Sequence, residues 1–535
     1  MVIRARVKRN AYFDSITLMK IASTLTSMSG IVDAAAIMAT EPNLQLLTEA
    51  GLASVENNAG PGDVLIVVRA NDESSAQSAL QAAEEQLAQR PTFSNDDGAG
   101  GASSTRSPQQ PRSLEQAAQL HPEAQLAVIS VPGPYAALEA DRALRNGLHV
   151  FLFSDNVSLA DEISLKQLAR ERGLLLMGPD CGTAMLNGVG LGFVNVVPRG
   201  PVGIVGASGT GIQQIMSLIA QQRGGVSQVI GCGGRDLSEA VGAITTLQGL
   251  RLLQEDEQTE VIVIVSKPPA PAVAERVLAT AVAGRKPVVV SFVGADVDAL
   301  QSRYGDRLVV TRTLAEAAQK AVSICGGTEL TTGTWYTSMR KPTSPSAIPS
   351  VAARDVTRGQ RLAALFSGGT LCDEAMHIWT EGSAQGKTLG PVYSNIPLQP
   401  AWRLVEGQSN QGHYAIDFGA DEYTRGRPHP MIDPSLRLKR LQEDANDPSI
   451  GVILLDIVLG YCSLPDPASI YAPAIQAARE QARRAGRRLT FIISLCGTEG
   501  DPQRLSLQHR QLRDAGAEVF ASNADAAMRC LDIFQ

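Results

Sequence analysis

Ile204-Val-Gly-Ala-Ser-Gly-Thr-Gly211 has the residue types of an anion cradle. An apolar run ends at Gly206, Ser208 offers a side-chain oxygen able to cap a helix, and Gly209 and Gly211 leave the backbone bare. Ile212, Ile215, Met216 and Ile219 then recur at helical spacing, which predicts a helix opening on this segment. A helix's first turn carries unpaired N–H groups and the positive end of its dipole. Ser208, Gly209, Thr210 and Gly211 are therefore candidate contacts to a phosphate or carboxylate. Glycine also serves such turns for steric reasons alone, and that reading stands beside the functional one. Ser367-Gly368-Gly369-Thr370 repeats the chemistry later in the chain. Neither turn ends in Gly-Lys-Ser/Thr, and neither has the GxGxxG spacing of a dinucleotide site.

Other candidates sit where short apolar strands end. Asp180, Cys181 and Gly182 follow Leu174–Met177 and a Gly-Pro step, at the strand end where α/β sheets bind substrate. Cys181 would need an activating base to act as a nucleophile, and none is identifiable, so a structural or binding use is the better reading. Gly233 and Gly234 precede Arg235, whose fork suits a carboxylate or phosphate, with a turn pair to Asp236 as the plainer alternative. Lys267 places another cation at a strand end. His429 stands between two prolines, in extended backbone that holds it in one place. It is a candidate proton donor or anion contact, or else a packed loop residue. The six histidines show no HxH or HExxH spacing, and the seven cysteines are scattered without CxxC pairs, so neither a metal nor a disulfide framework is expected.

The elements that must position these residues read as α/β. At 535 residues the chain is too long for one core. A net charge of −7 without a basic stripe argues against a nucleic-acid surface. No apolar run approaches the roughly 20 residues of a membrane span, and the N-terminus has no signal-peptide core. The expected location is the cytoplasm. Residues 1–90 fit a small α+β, ferredoxin-like domain. Residues 91–113 and 326–358, poor in apolar residues, read as linkers. Residues 114–198 form a βαβ unit. Residues 199–325 and 359–535 share one plan: a strand into a glycine turn, a second glycine turn, a helix ending Leu-Gln-Glu-Asp, a buried strand and a final Ala-rich helix. They are read as duplicated, doubly wound, flavodoxin-like parallel-sheet domains.

GPDCGT (178–183), VGIVGASGTG (202–211), the GCGG turn (231–234) and KPVVVSFVG (286–294) resemble the α subunit of succinyl-CoA synthetase. The stretch from Asp417 through LLDIVLGYCSLPDP (454–467) to the C-terminus resembles the carboxy-terminal domain of its β subunit, and the whole layout, with the extra N-terminal domain and GRPHPMIDP (426–434), closely resembles the FdrA family. The resemblance implies that two helix starts, at Ser208 and at the turn of Gly460, face one shared anion. It also implies a CoA-binding part over residues 126–183, with CoA as the candidate cofactor. Where the synthetases carry a phosphohistidine, this chain reads Gly294-Ala-Asp-Val-Asp-Ala299, and no segment resembles an ATP-grasp module. The family is called acyl-CoA synthetase. It is also linked to allantoin breakdown as a component of oxamate carbamoyltransferase, working with companion proteins. That reaction interconverts carbamoyl phosphate plus oxamate with oxalurate plus phosphate. On this reading the helix starts hold the phosphoryl group and Arg235 or Arg427 the carboxylate. The alternatives are a CoA-binding acyl-CoA synthetase subunit and a non-catalytic scaffold. A homo-oligomer or a hetero-complex is expected.

Overall fold

Strands apolar at every position must be covered on both faces. All six residues of Val261–Ser266 and all nine of Ile450–Val458 are buried. In the computed structural model each is a central strand of its own parallel sheet. The structure describes residues 113–326, 360–382, 388–404, 412–424 and 427–534 without a break. It also describes Pro111 and residues 1–88 apart from 10, 12, 14, 41–42, 45–46, 49–50, 53–58 and 61. Residues 91–110 and 327–358 of the two expected linkers lie outside the described residues.

The chain divides into two compact units. The first holds β1 (Val2–Lys8), α1 (Ser15–Thr26), β2 (Ile31–Met38), β3 (Val64–Ala70) and α2 (Glu73–Ala88). Its sheet is antiparallel, in the order β1-β3-β2. The two helices bury Leu18, Ile21, Leu25, Ala76 and Ala79 against Ile66 and Val68, while Leu47 and Leu52 cover Leu65 and Val67 on the opposite face. This is the split-βαβ connection, with three strands among the described residues.

The second unit contains three sheets. β4 (Leu126–Ile129), β5 (His149–Leu152) and β6 (Leu176–Met177) run parallel, with α3 (Gly133–Arg145) and α4 (Leu159–Glu171) between them. The hairpin of β7 (Thr183–Leu186) and β8 (Val189–Gly192) joins the next sheet instead, so the sheets change over at residues 178–182. That next sheet is completed by β9 (Arg199–Gly206), β10 (Val226–Gly231), β11 (Val261–Ser266), β12 (Val288–Phe292) and β13 (Val309–Val310), in the order β13-β12-β11-β9-β10-β7-β8. The last sheet holds β14 (Arg361–Phe366), β15 (Val392–Ser394), β16 (His413–Asp417), β17 (Ile450–Val458), β18 (Thr490–Cys496) and β19 (Glu518–Phe520), in the order β15-β16-β14-β17-β18-β19. Numbered from the glycine-turn strand, the five parallel strands of the first half run 2-1-3-4-5, the flavodoxin-like order, and the second half repeats it with one further parallel strand, β15, added at the edge beside β16.

One hydrophobic core joins the halves. The first contributes α5 (Gly209–Gln221) and α6 (Leu314–Ile324). The second contributes α7 (Gly369–Glu381) and the C-terminal helix, Asn523–Ile533. Ile212, Ile215, Ile219 and Ala318 pack in the same cluster as Leu371, Ala375, Trp379 and Leu531. Side chains lock the joint: Gln221 Nε2 donates to Gly497 O at 2.7 Å, and Asn195 Nδ2 donates to Asp501 Oδ2 at 2.9 Å.

Candidate functional site

Ser208 caps α5 as its position predicts, accepting from the Gly211 amide at 3.0 Å. The matching helix of the second half, α7, starts at Gly369 with Gly368 as its cap residue. The two starts meet. Ser208 Oγ donates to Thr370 Oγ1 at 2.7 Å, and a Cβ placed on Gly368 would lie 2.7 Å from Thr210 Cβ. Ser208 thus spends both roles of its hydroxyl inside the protein. Ser367 does the same: its amide and hydroxyl donate to Asp456 Oδ1 and Oδ2 at 2.7 and 2.8 Å, and Asp456 is paired with the buried Arg437 at 2.8 Å. Both serine hydroxyls are therefore withdrawn from anion binding, a correction to the roles expected of them. Gly211 is buried beneath the Ser208 cap. Gly209, Thr210 and Gly369 keep partial exposure.

Charged groups gather beside α7's start. A Cβ at Gly369 would lie 2.7 Å from Asp417 Oδ2 and 3.3 Å from Lys267 Nζ. Lys267, reaching over from the end of β11, pairs with Asp373 of α7 at 2.8 Å. Asp417 closes β16 and is 5% exposed. Burial pushes its carboxyl up to about 7, while Lys267 and the Gly419 amide pull it down. His429 enters from the proline-flanked loop. Its Nε2 and Asp417 Oδ1 stand 3.0 and 3.1 Å from the same point, the missing Cβ of Gly419. Burial, helped by the Arg437 guanidinium, drives the imidazole down to about 4, so it is neutral at pH 7. Its ring packs on Phe193, with centroids 5.5 Å apart. Sequence reasoning named Lys267, Gly369 and His429 but missed Asp417. The available signal was a carboxylate closing an apolar strand just before a glycine, at the ligand-binding end of the sheet.

The GCGG turn is held by a different network. Lys166 of α4, fully buried, reaches Asp236 at 2.6 Å, Glu162 at 2.9 Å and Cys232 O at 2.9 Å. Burial opposes its charge, yet Asp236 and Glu162 more than offset this and hold the ammonium above its usual range. Arg235 pairs with Glu162 at 2.8 Å and donates to Val157 O at 2.8 Å, so its fork ties the turn to the three-stranded sheet. Gly233 has a φ of +83° and is buried, with its missing Cβ against the backbone of Gly178 and Pro179. Gly234 is exposed, 3.6 Å by the same measure from Asp180 Oδ2. Asp180 is open to solvent yet enclosed enough that burial, then Asp155 and Asp421, push its carboxyl up to about 7. Cys181 is buried, donates to Thr183 O at 3.6 Å and has its thiol pushed up to about 12, which keeps it un-ionised. Gly182 is half-buried beside Phe193.

Two further expectations change. The Gly460 amide donates to Gln503 Oε1 at 3.0 Å and the Tyr461 amide to Val194 O at 2.9 Å. The helix beyond, α9 (Pro467–Arg484), is capped by Asp466. Gly460 therefore has no helix start to offer, and Gly368-Gly369-Thr370 is the turn that pairs with Ser208. Arg427 is exposed. In the stretch after β12, Asp296 caps a short helix, Val297–Tyr304. The imidazole against Gly294 is His377 of α7, whose Nδ1 meets Glu381 Oε1 at 2.6 Å.

Paired flavodoxin-like halves whose glycine turns face each other define a CoA-ligase type of protein. Family models agree: the CoA-ligase model matches residues 365–530, the CoA binding domain model 199–294, and the model described as "AllF, heavy metal-associated domain" residues 1–104. The CoA binding match thus falls on the first flavodoxin-like half rather than on residues 126–183. The chain is 42% identical to the Escherichia coli K12 protein described as uncharacterized protein YahF, over 99% of this chain and 98% of that one. It is 30% identical to a succinate–CoA ligase [ADP-forming] subunit alpha 2 of Archaeoglobus fulgidus, over 27% of this chain and 50% of that subunit. An acetyl-coenzyme A synthetase 1 structure from Ca. Korarchaeum cryptofilum aligns over 77% of this chain and 82% of that one, at 15% identity and a TM-score of 0.31. The chain belongs to the FdrA family of succinyl-CoA ligase-like proteins.

The AllF model's description implies a heavy metal. Residues 1–104 contain no cysteine and no histidine, so neither the thiolate nor the imidazole donors such an ion favours exist there. Among the described residues no group of His, Cys, Asp or Glu is placed to hold a metal, and no helix is long and apolar enough to cross a membrane.

Proposed function

We propose that the chain is the FdrA-type component of a cytoplasmic carbamoyl-transfer enzyme in allantoin catabolism. With companion proteins it would interconvert carbamoyl phosphate plus oxamate with oxalurate plus phosphate. One observation carries this reading: two equivalent helix starts converge across a shared core, with Lys267 beside them, in a chain that has no imidazole at residues 294–299. Direct transfer from carbamoyl phosphate needs an anion cradle and precise positioning but no carrier residue, and the imidazole that does pack on Gly294, His377, comes from α7 and is engaged with Glu381 at 2.6 Å. Gly209, Thr210, Gly369 and Lys267 supply the amides, hydroxyl and ammonium for the phosphate. Gly182 lies beside Gly209, and Gly234 beside Asp180, on the side where the acceptor would sit.

The test is reconstitution with the companion proteins, oxalurate and inorganic phosphate. Carbamoyl phosphate should appear, and Lys267→Met should raise the KM for phosphate. Absence of carbamoyl phosphate under those conditions overturns the reading. The CoA-ligase and CoA binding domain matches favour a second reading, an acyl-CoA synthetase subunit. It predicts calorimetric CoA binding by the full chain, and no heat of binding removes it.

A further inference from the structure

Asp417 is unlike every other carboxylate around the helix starts. Asp373 is paired with Lys267 at 2.8 Å and Asp456 with Arg437 at 2.8 Å. Asp417 is more than nine-tenths buried and has no ion-pair partner within bonding distance among the described residues. Its backbone is clamped on both sides by one side chain: Asn395 Nδ2 donates to Asp417 O at 3.0 Å, and the Asp417 amide donates to Asn395 Oδ1 at 2.9 Å. Oδ1 accepts from the Gly419 amide at 2.9 Å. Oδ2 takes no hydrogen bond from the described protein and is turned to the bare start of α7, at Gly369. A buried carboxylate with one oxygen anchored and the other free is costly to keep unless that oxygen has a task. A carboxylate at a helix start also competes with an anion for the same amides. Bearing its proton, as it does once the forward reaction has ended, it would stand beside the released phosphate without that repulsion.

Resting on the carbamoyl-transfer reading, we propose that Asp417 is the proton-transfer group of the site, with Oδ2 as the reacting atom. In the forward direction the acceptor's amide nitrogen bonds to the carbamoyl carbon. The carbon–oxygen bond to phosphate breaks, phosphate leaves with that electron pair, and the nitrogen's proton passes to Oδ2. In reverse, Oδ2 returns the proton to the departing amide nitrogen. Lys267 from the loop after β11, Asp373 and Cys372 of α7, Asp456 of β17 and the neutral His429 are the titratable groups around it. A carboxyl near pH 7 is matched to this duty at neutral pH.

Asp417→Asn keeps an oxygen for the Gly419 amide and removes the acid. In the reconstituted complex, kcat should fall ~100-fold or more, with a small change in KM for carbamoyl phosphate. The acid limb of the pH profile should vanish. Lys267→Met should move that limb to higher pH, because the ammonium holds Asp417 down. A readout independent of turnover is calorimetry of inorganic phosphate with the full chain, in two buffers of different ionisation enthalpy. Near pH 7 the natural chain should take up more protons on binding phosphate than Asp417→Asn does, the difference being the proton of Asp417 and the remainder that of phosphate itself. Unchanged turnover, or unchanged proton uptake, in a folded Asp417→Asn chain overturns the assignment. Should that variant fail to fold, an acid limb that Lys267→Met leaves in place overturns it as well. Proton uptake reduced in the variant, with no carbamoyl transfer by the natural complex, would leave Asp417 as the site's proton carrier and overturn the carbamoyl reading alone.

Discussion

The two glycine turns carry the same chemistry in sequence and different chemistry in space. In the first half the order is Ala207-Ser208-Gly209-Thr210, and the serine caps its helix. In the second it is Ser367-Gly368-Gly369-Thr370, and the serine sits one place earlier. That one-residue offset decides everything downstream. Ser208 points out of its sheet, closes α5 and touches Thr370. Ser367 points into its own sheet and joins Asp456 and Arg437. The reason is room. The threonine of each turn lies on the cap residue of the other, and only a bare cap at Gly368 leaves space for Thr210. A duplicated motif has become one capped, open helix start and one bare start guarded by a carboxylate. Copying a fold does not copy a site.

The largest effect should come from the second half's internal anchor. Asp456→Ala strands the buried Arg437 and frees two Ser367 donors, which should cost about 3–5 kcal/mol. The check is a lower denaturant midpoint for the unit that contains both halves. A smaller loss would show that the serine offset is incidental. Next is the bare cap. Gly368→Ala puts a methyl 2.7 Å from Thr210 Cβ, and overpacking should cost ~1–3 kcal/mol. Gly368 has a φ of −137°, which any residue adopts, so the penalty is steric rather than conformational. Adding Thr210→Gly, which removes the clashing Cβ itself, should therefore restore most of the loss, and a double-mutant cycle reads this directly. No coupling would mean that the starts do not touch.

This pairing shows where the sequence was readable. Apolar runs such as Val261–Val265, ended by glycine turns, give strand order and the duplication, because burial on both faces writes itself into every residue. The helix start at Ser208 was legible because capping is local. The partner start was misplaced to Gly460, since resemblance supplies a turn but not the through-space contact of residues more than a hundred positions apart. The fates of Ser367, Arg235 and Cys181 were hidden for the same reason: Asp456, Glu162 and Thr183 O claim them only in three dimensions. Asp417 was invisible as a site residue because nothing in its own neighbourhood says that its second oxygen would go unpaired.

A milder perturbation tests the first half by itself. Ser208→Ala removes one cap and one cross-half hydrogen bond, and should cost ~1 kcal/mol. If the two starts form one anion site, phosphate should recover part of that loss in thermal melts, because the freed Gly211 amide gains a new acceptor. Without such recovery, the open face of α5 is a structural turn.

The last effect is a pH signature of the loop that the second half has added, absent at neutral pH and developed only in acid. His429 titrates at about 4 in the folded chain against an ordinary value of 6.5. A folded value below the unfolded one means that unfolding takes up a proton in that window. Its contribution is whole above about 6.5 and is lost as pH falls through 4. Comparing melting temperatures of the natural chain and His429→Gln isolates this from every other carboxylate and histidine. The gap between them should shrink steadily from pH 6.5 to pH 4 and level off below. A gap that stays constant would mean that the imidazole is charged in the folded protein. It would then be a second cation beside Lys267, facing Asp417, and the carboxylate at the bare helix start would be held as an anion instead of carrying a proton.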